Sequence, residues 1–173
     1  MGGVPAVEGV GSLTGSRITP SPLAAGDHCT TPTGVRMNFQ IDLDPTHGVI
    51  RLTVISAVVD LGGAEEVYAR LKRITSDSLQ YAGIYDLSAV TGTTLSVDLV
   101  RSYARRTPSI PMGKAHVVVG KEPHIYGYAR IFQMCREFLG GDKFDVVRTL
   151  KEAYDIVGVR PEDFTQRLYP FHG

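Results

Sequence analysis

Hydrophobic and polar positions begin to alternate at Met37. Phe39, Ile41 and Leu43 stand between Asn38, Gln40 and Asp42, the period of two expected of a strand with one buried face. Asp44-Pro45-Thr46-His47-Gly48 is turn chemistry and Val49 to Ile55 reads as a second strand, so the short link predicts an antiparallel hairpin. Gly62-Gly63 predicts a turn before a helix in which Ala64, Val67, Tyr68, Leu71 and Ile74 keep helical spacing. Glu65 and Glu66 then fall in its first turn, with Arg70, Lys72 and Arg73 near its end, the charge order a helix dipole favours. Tyr81 to Leu87 is a third strand. Ser96 caps a second helix with Leu99, Val100, Tyr103 and Ala104 inward, and Pro108 and Pro111 lie past its end. The run Ala115 to Gly120 is almost wholly apolar, as in a strand covered on both faces. A third helix places Ile125, Tyr128, Phe132, Cys135 and Leu139 on one stripe and stops at Gly140-Gly141. Phe144 to Val147 is a fifth strand. Leu150, Ala153, Tyr154 and Val157 line a fourth helix that Gly158 ends.

The order β-β-α-β-α-β-α-β-α predicts an α/β fold with parallel strands and right-handed crossovers, occupying residues 37–158. The hairpin adds one antiparallel strand at an edge. An exposed edge pairs readily with another chain, so the first strand is a candidate homodimer contact. Residues 1–36 are rich in Gly, Pro, Ser and Thr and hold no aromatic residue, which predicts a flexible N-terminal arm. Docking of this arm on a partner is its functional alternative, and Met37 is a candidate start in its own right. Residues 159–173 form a polar C-terminal tail with Phe164, Leu168, Tyr169 and Phe171 as anchors.

Charge narrows the function. Lys plus Arg and Asp plus Glu number 18 each among 173 residues, so the net charge is zero. That argues against nucleic-acid binding through phosphates and against polybasic membrane attachment. The two cysteines, Cys29 and Cys135, make no disulfide framework, which fits a reducing cytoplasmic compartment. The start MGGVPAVEGV is not a signal peptide, and no apolar run reaches membrane-spanning length, so no membrane insertion is expected. His28, His47, His116, His124 and His172 fall in no metal-ligand spacing, and there is no nucleophile elbow or P-loop. No metal or other cofactor is expected, and no enzyme activity.

In parallel sheets, ligands gather beyond the carboxyl ends of the strands. One such segment runs from Asp86 through Ser88, Thr91, Thr93 and Thr94 to Ser96. Its carboxylate, hydroxyls and helix-start amides can hold an anion or a phosphorylated side chain. The simplest reading makes Asp86 a loop hydrogen-bond acceptor and Ser96 a plain cap. The next segment carries Lys121, His124, Tyr126 and Arg130. His124 with Asp86 would make a general acid–base pair if the fold brought them together, whereas a histidine near a helix start is more often a surface residue. Gly127 inside a helix costs about 1 kcal/mol relative to alanine, which implies close packing there against a strand or ligand.

The element order, DLSAVTGTTLS at a strand end and YGYARIFQM on a helix resemble the SpoIIAA-like, STAS/SEC14-type proteins of bacteria over residues 37–158. The resemblance implies a βα superhelix on a five-stranded mixed sheet with about four helices. It implies a non-enzymatic signalling domain that binds a protein partner and is switched by phosphorylation just after the strand end. By position the acceptor is Thr91, Thr93, Thr94 or Ser96. Thr91-Gly92-Thr93-Thr94 stands where that family has an Asp-Ser-Ser-Gly-like acceptor. The SEC14 side of the grouping implies instead a small apolar or lipid ligand in a groove between helices and sheet.

Overall fold

Eight strands and four α-helices follow one another in the computed structural model, which describes residues 37–75, 81–108, 113–140 and 144–169. They are β1 (Phe39–Asp44), β2 (Val49–Val54), β3 (Val58–Val59), α1 (Leu61–Ile74), β4 (Ala82–Asp86), β5 (Gly92–Thr93), α2 (Val97–Ala104), β6 (His116–Val119), α3 (Pro123–Phe138), β7 (Phe144–Val147), α4 (Leu150–Val157) and β8 (Gln166–Tyr169), with a 3-10 turn at Pro161–Asp163. The protein is α/β with a mixed sheet. The arm expected over residues 1–36, and Pro111, Gly141 and Phe171, lie outside the described residues.

The main sheet has the order β7-β6-β4-β2-β1-β8. The hairpin β1–β2 is antiparallel, with Phe39 opposite Val54 and Asp44 opposite Val49. Strands β2, β4, β6 and β7 are parallel neighbours. Each crossover therefore steps one strand further in the same direction. Right-handed crossovers that always step the same way leave their helices on one face. Thus α1, α2 and α3 share a face, and α4 covers the other as the chain returns to the far edge.

Strand alternation supplies both faces at once. Phe39, Ile41, Ile50, Leu52 and Val54 pack with Leu71, Val90 and Ile125 on the three-helix side. Val49, Ala82, Ile84, Val117 and Val119 pack with Ala153, Tyr154 and Val159 on the α4 side. The apolar run from Ala115 to Gly120, which holds β6, is explained: Val117 and Val119 face one layer and Val118 the other.

The sheet has six strands, not five. The tail supplies β8, which pairs antiparallel with β1. Its pattern, exposed Gln166 and Arg167 before half-buried Leu168 and Tyr169, carries no alternation to read. What fixes it is Asp42, buried and 3% exposed. This carboxylate accepts from Gln40 Nε2 at 2.6 Å, Arg51 Nη2 at 2.9 Å and Arg167 Nε at 3.2 Å. Arg51 also donates to the Tyr154 hydroxyl at 2.8 Å and lies 4.4 Å from the Phe164 ring centre. Phe164, Leu168 and Tyr169 do anchor the tail, Tyr169 stacking on Phe39 at 5.0 Å. Because β8 covers β1, the first hairpin strand is not an open edge, and dimerisation by pairing along it is closed.

Three local readings also change. Helix α1 starts at Leu61, because Asp60 caps it by accepting from the Gly63 amide at 2.7 Å. Gly62-Gly63 lies within the helix, and Glu65 and Glu66 fall beyond its first turn. The buried side of α3 holds Ile125, Ala129, Gln133 and Arg136, while Leu139 is exposed. Gly127 is not closely packed: a Cβ built on it meets nothing within 4 Å.

Candidate functional site

The three helices do not close fully on the sheet. Between them is a hollow of about 290 Å3. Leu52 and Val54 of β2, Tyr85 of β4, Val118 of β6 and Phe144 of β7 form its floor. Val67 and Leu71 of α1, Val100 of α2, and Ile125, Ala129 and Phe132 of α3 form its walls. The lining is overwhelmingly apolar, as in sites for small organic molecules. The size sits near the lower end of such sites, roughly 300–1,000 Å3.

Polar groups collect where α1 meets the end of α2. Arg106 Nη1 donates to both oxygens of Glu65, at 2.7 and 2.9 Å. The same guanidinium carbon lies 4.1 Å from the Tyr103 ring centre and 5.8 Å from that of Tyr68. The Tyr68 hydroxyl donates to the Thr107 carbonyl at 2.6 Å. Tyr68, Tyr103, Arg106 and Thr107 all line the hollow. The Tyr103 hydroxyl is buried. That burial, and next the Glu65 carboxylate, push its pKa up to about 12. The Tyr103 hydroxyl and then the Arg106 guanidinium hold the Glu65 carboxyl below its ordinary value. Arg136, also lining the hollow, donates from Nη1 to the Ala104 and Arg106 carbonyls at 3.2 Å each. It thereby satisfies carbonyls that the end of α2 leaves exposed.

The strand-end loop is built differently from a crevice. Asp86 accepts from the Ser88 amide at 3.0 Å and from the Ser88 hydroxyl. Thr91 and Thr93 donate to the carbonyls of Ala57 and Val59, at 3.3 and 2.9 Å, beside the short β3–β5 pairing. Ser96 caps α2 by accepting from the Leu99 amide at 3.2 Å. Thr93 and Leu95 line the hollow, while Thr94 and Ser96 are exposed. Of the candidate site residues on the two strand-end segments, Thr93 is the one that reaches the hollow.

The start of α3 forms a separate surface group. Arg148 donates to the Lys121 carbonyl at 3.0 Å and lies 3.9 Å from the Tyr126 ring centre. His124 is exposed. Arg130 donates to Gln133 Oε1 at 2.5 Å. Asp86 and His124 share no part of the hollow lining, since Tyr85 points there and strand alternation turns Asp86 to the opposite face.

One cluster was not foreseen. Ligand atoms of Asp44, His47 and Asp163 lie within 4.8 Å of one another. Asp44 is fully buried, and it accepts from the Thr46 and His47 amides and meets His47 Nδ1 at 2.5 Å. Asp163 accepts from the Arg160 amide at 2.8 Å. These bonds describe a turn whose carboxylates are already engaged.

No family model matches the chain, and neither a curated protein nor a solved structure matches it. Among the described residues no helix is long and apolar enough to cross a membrane.

Proposed function

We propose that the domain is a binding module for a small, predominantly apolar ligand held between α1, α2, α3 and the sheet. The single observation behind this reading is the apolar hollow of about 290 Å3, open beside a polar end. A well-packed interior of this size holds few voids larger than a water molecule, so a space of this volume among Leu, Val, Ile and Phe side chains calls for an occupant. A methylene takes roughly the volume of a water in the liquid, about 30 Å3, which sizes the ligand at roughly ten carbons. The reading accords with the apolar-ligand side of the likeness to SpoIIAA-like and SEC14-type proteins, which belongs to the same proposal. Catalysis by Asp86 and His124 is not part of it, because Asp86 is engaged by Ser88 and His124 stands apart from the hollow.

Native mass spectrometry of freshly purified protein, with and without an added C10 ligand, tests this. A mass increment that Ala129→Phe removes is the expected result. Failure to bind any apolar ligand by the folded wild-type protein would rule the reading out.

A second reading is favoured by the loop after β4. Exposed Thr94 and Ser96 alternate with Thr93 and Leu95, which line the hollow. A protein partner or a phosphate on the outer residues would thus act one residue away from the ligand wall. Incubation with cell extract and ATP, then peptide mass mapping, checks it. The reading requires modification or a recovered partner at residues 88–96 and fails without either.

A further inference from the structure

We propose that the ligand is an amphiphile with a carboxylate head, seated at Arg136 with its apolar chain running along α3 toward Ile125. This deepens the reading of the hollow as a ligand site and rests on it.

Helix α3 lays Ile125, Ala129, Phe132 and Arg136 along one wall of the hollow. Steps of four, three and four residues keep them on a single helical stripe. At about 1.5 Å of rise per residue, Arg136 lies roughly 16 Å along the axis from Ile125. The wall is thus apolar over its first three positions and cationic at its last. The cationic end adjoins the mouth. Arg136 Nη1 donates to the Ala104 and Arg106 carbonyls at the end of α2, and Thr107, next in the chain and part of the lining, is exposed.

Charge gives the head its sign. Among the described residues the lining includes Arg106 and Arg136 but no aspartate or glutamate. Arg106 is matched by Glu65, whose side chain is 43% exposed and stands outside the lining. Arg136 is 9% exposed, and bonds to neutral carbonyls leave its charge in place. A carboxylate entering the hollow therefore meets positive charge and no anion of the wall. The phenols of the lining can bond an alcohol or a carboxylate alike, so they do not choose between the two heads. The guanidinium does, because hydrogen bonds between ionised partners are stronger than neutral ones.

Isothermal titration of the full chain with decanoate and with 1-decanol, at about pH 8 so that the acid is ionised, tests this. Decanoate is expected to bind about tenfold more tightly, the margin of a charge-assisted hydrogen bond over a neutral one. Arg136→Gln keeps an N–H donor but removes the charge, and in the folded variant the preference for decanoate is expected to vanish. A merely structural role for Arg136 would weaken both ligands together and leave their ratio unchanged. Decanol binding as tightly as decanoate to the wild-type chain would overturn the inference while leaving the hollow a ligand site. Binding of neither compound would overturn both. A preference that survives in folded Arg136→Gln would overturn the seating at Arg136. The wild-type comparison stands even if that variant does not fold.

Discussion

Replacing Asp42 by alanine should be among the most damaging single changes on the α4 side of the sheet. The carboxylate is 3% exposed and receives three side-chain bonds, from Gln40, Arg51 and Arg167. The Arg167 side chain is 56% exposed, so its bond is worth little. Arg51 decides the magnitude. Its side chain is 18% exposed, and without Asp42 its charge keeps only the Tyr154 hydroxyl and the Phe164 ring. Breaking a buried pair from one side costs roughly 3–5 kcal/mol, and the lower end applies because Arg51 retains those contacts. A loss of about 3 kcal/mol in urea unfolding is expected, or about 10 °C in melting temperature for a domain of this size. The pH dependence has a definite sign. Burial alone would raise the Asp42 pKa, but the bonds from Gln40, Arg51 and Arg167 outweigh it and leave the pKa lowered. A lowered pKa adds stability above the unfolded value of about 3.9, and that stability disappears as pH falls through the folded value. Asp42→Asn should therefore flatten the acid limb of the stability curve. A loss under about 1 kcal/mol in Asp42→Ala, or an unchanged acid limb in Asp42→Asn, would refute the reasoning.

Other substitutions probe the packing around the hollow. Gly127→Ala should stabilise by about 0.5–1 kcal/mol in urea unfolding, because the position is mid-helix and a Cβ there meets open space. Gly63→Ala should do the opposite by about 1–3 kcal/mol, since its Cβ would overlap the Met37 side chain and lie 2.8 Å from its sulfur. Arg136→Ala should cost about 2 kcal/mol and loosen the end of α2, read as faster amide exchange after Ala104, because two carbonyls lose a charged donor.

Much of the architecture could be read along the chain because its period changes cleanly. Alternation in Phe39–Leu43, the apolar run at Val117–Val119 and helical spacing in α1, α2 and α4 each have one physical explanation. Residues 166–169 had none: β8 is held by Arg167 reaching Asp42, 125 positions away, and no local pattern records such a pairing. Helix α3 misled in a related way. Gln133 and Arg136 count as outward residues by polarity, yet both are buried, one bonded to Arg130 and Glu137 and the other to the end of α2. Gly62-Gly63 looked like a turn because a glycine pair inside a helix is costly; the close approach of Met37 and the Asp60 cap explain Gly63. The hollow was the hardest feature to foresee. Its helical aromatic residues, Tyr68, Tyr103, Tyr128 and Phe132, were visible as inward stripes on three separate helices. That the three stripes face one space follows only from the common direction of the crossovers. The hydroxyl loop was noticeable for its chemistry, but most of that chemistry serves its own turns.

The most direct test of the ligand site is titration with N-phenyl-1-naphthylamine, a neutral apolar dye that brightens on leaving water. The chain has no tryptophan to compete with its signal. Saturable brightening with one site per chain is expected, reversed by 1-decanol and abolished in a folded Ala129→Phe protein. A linear, unsaturable signal in the wild-type protein, or one that Ala129→Phe leaves intact, would contradict the account.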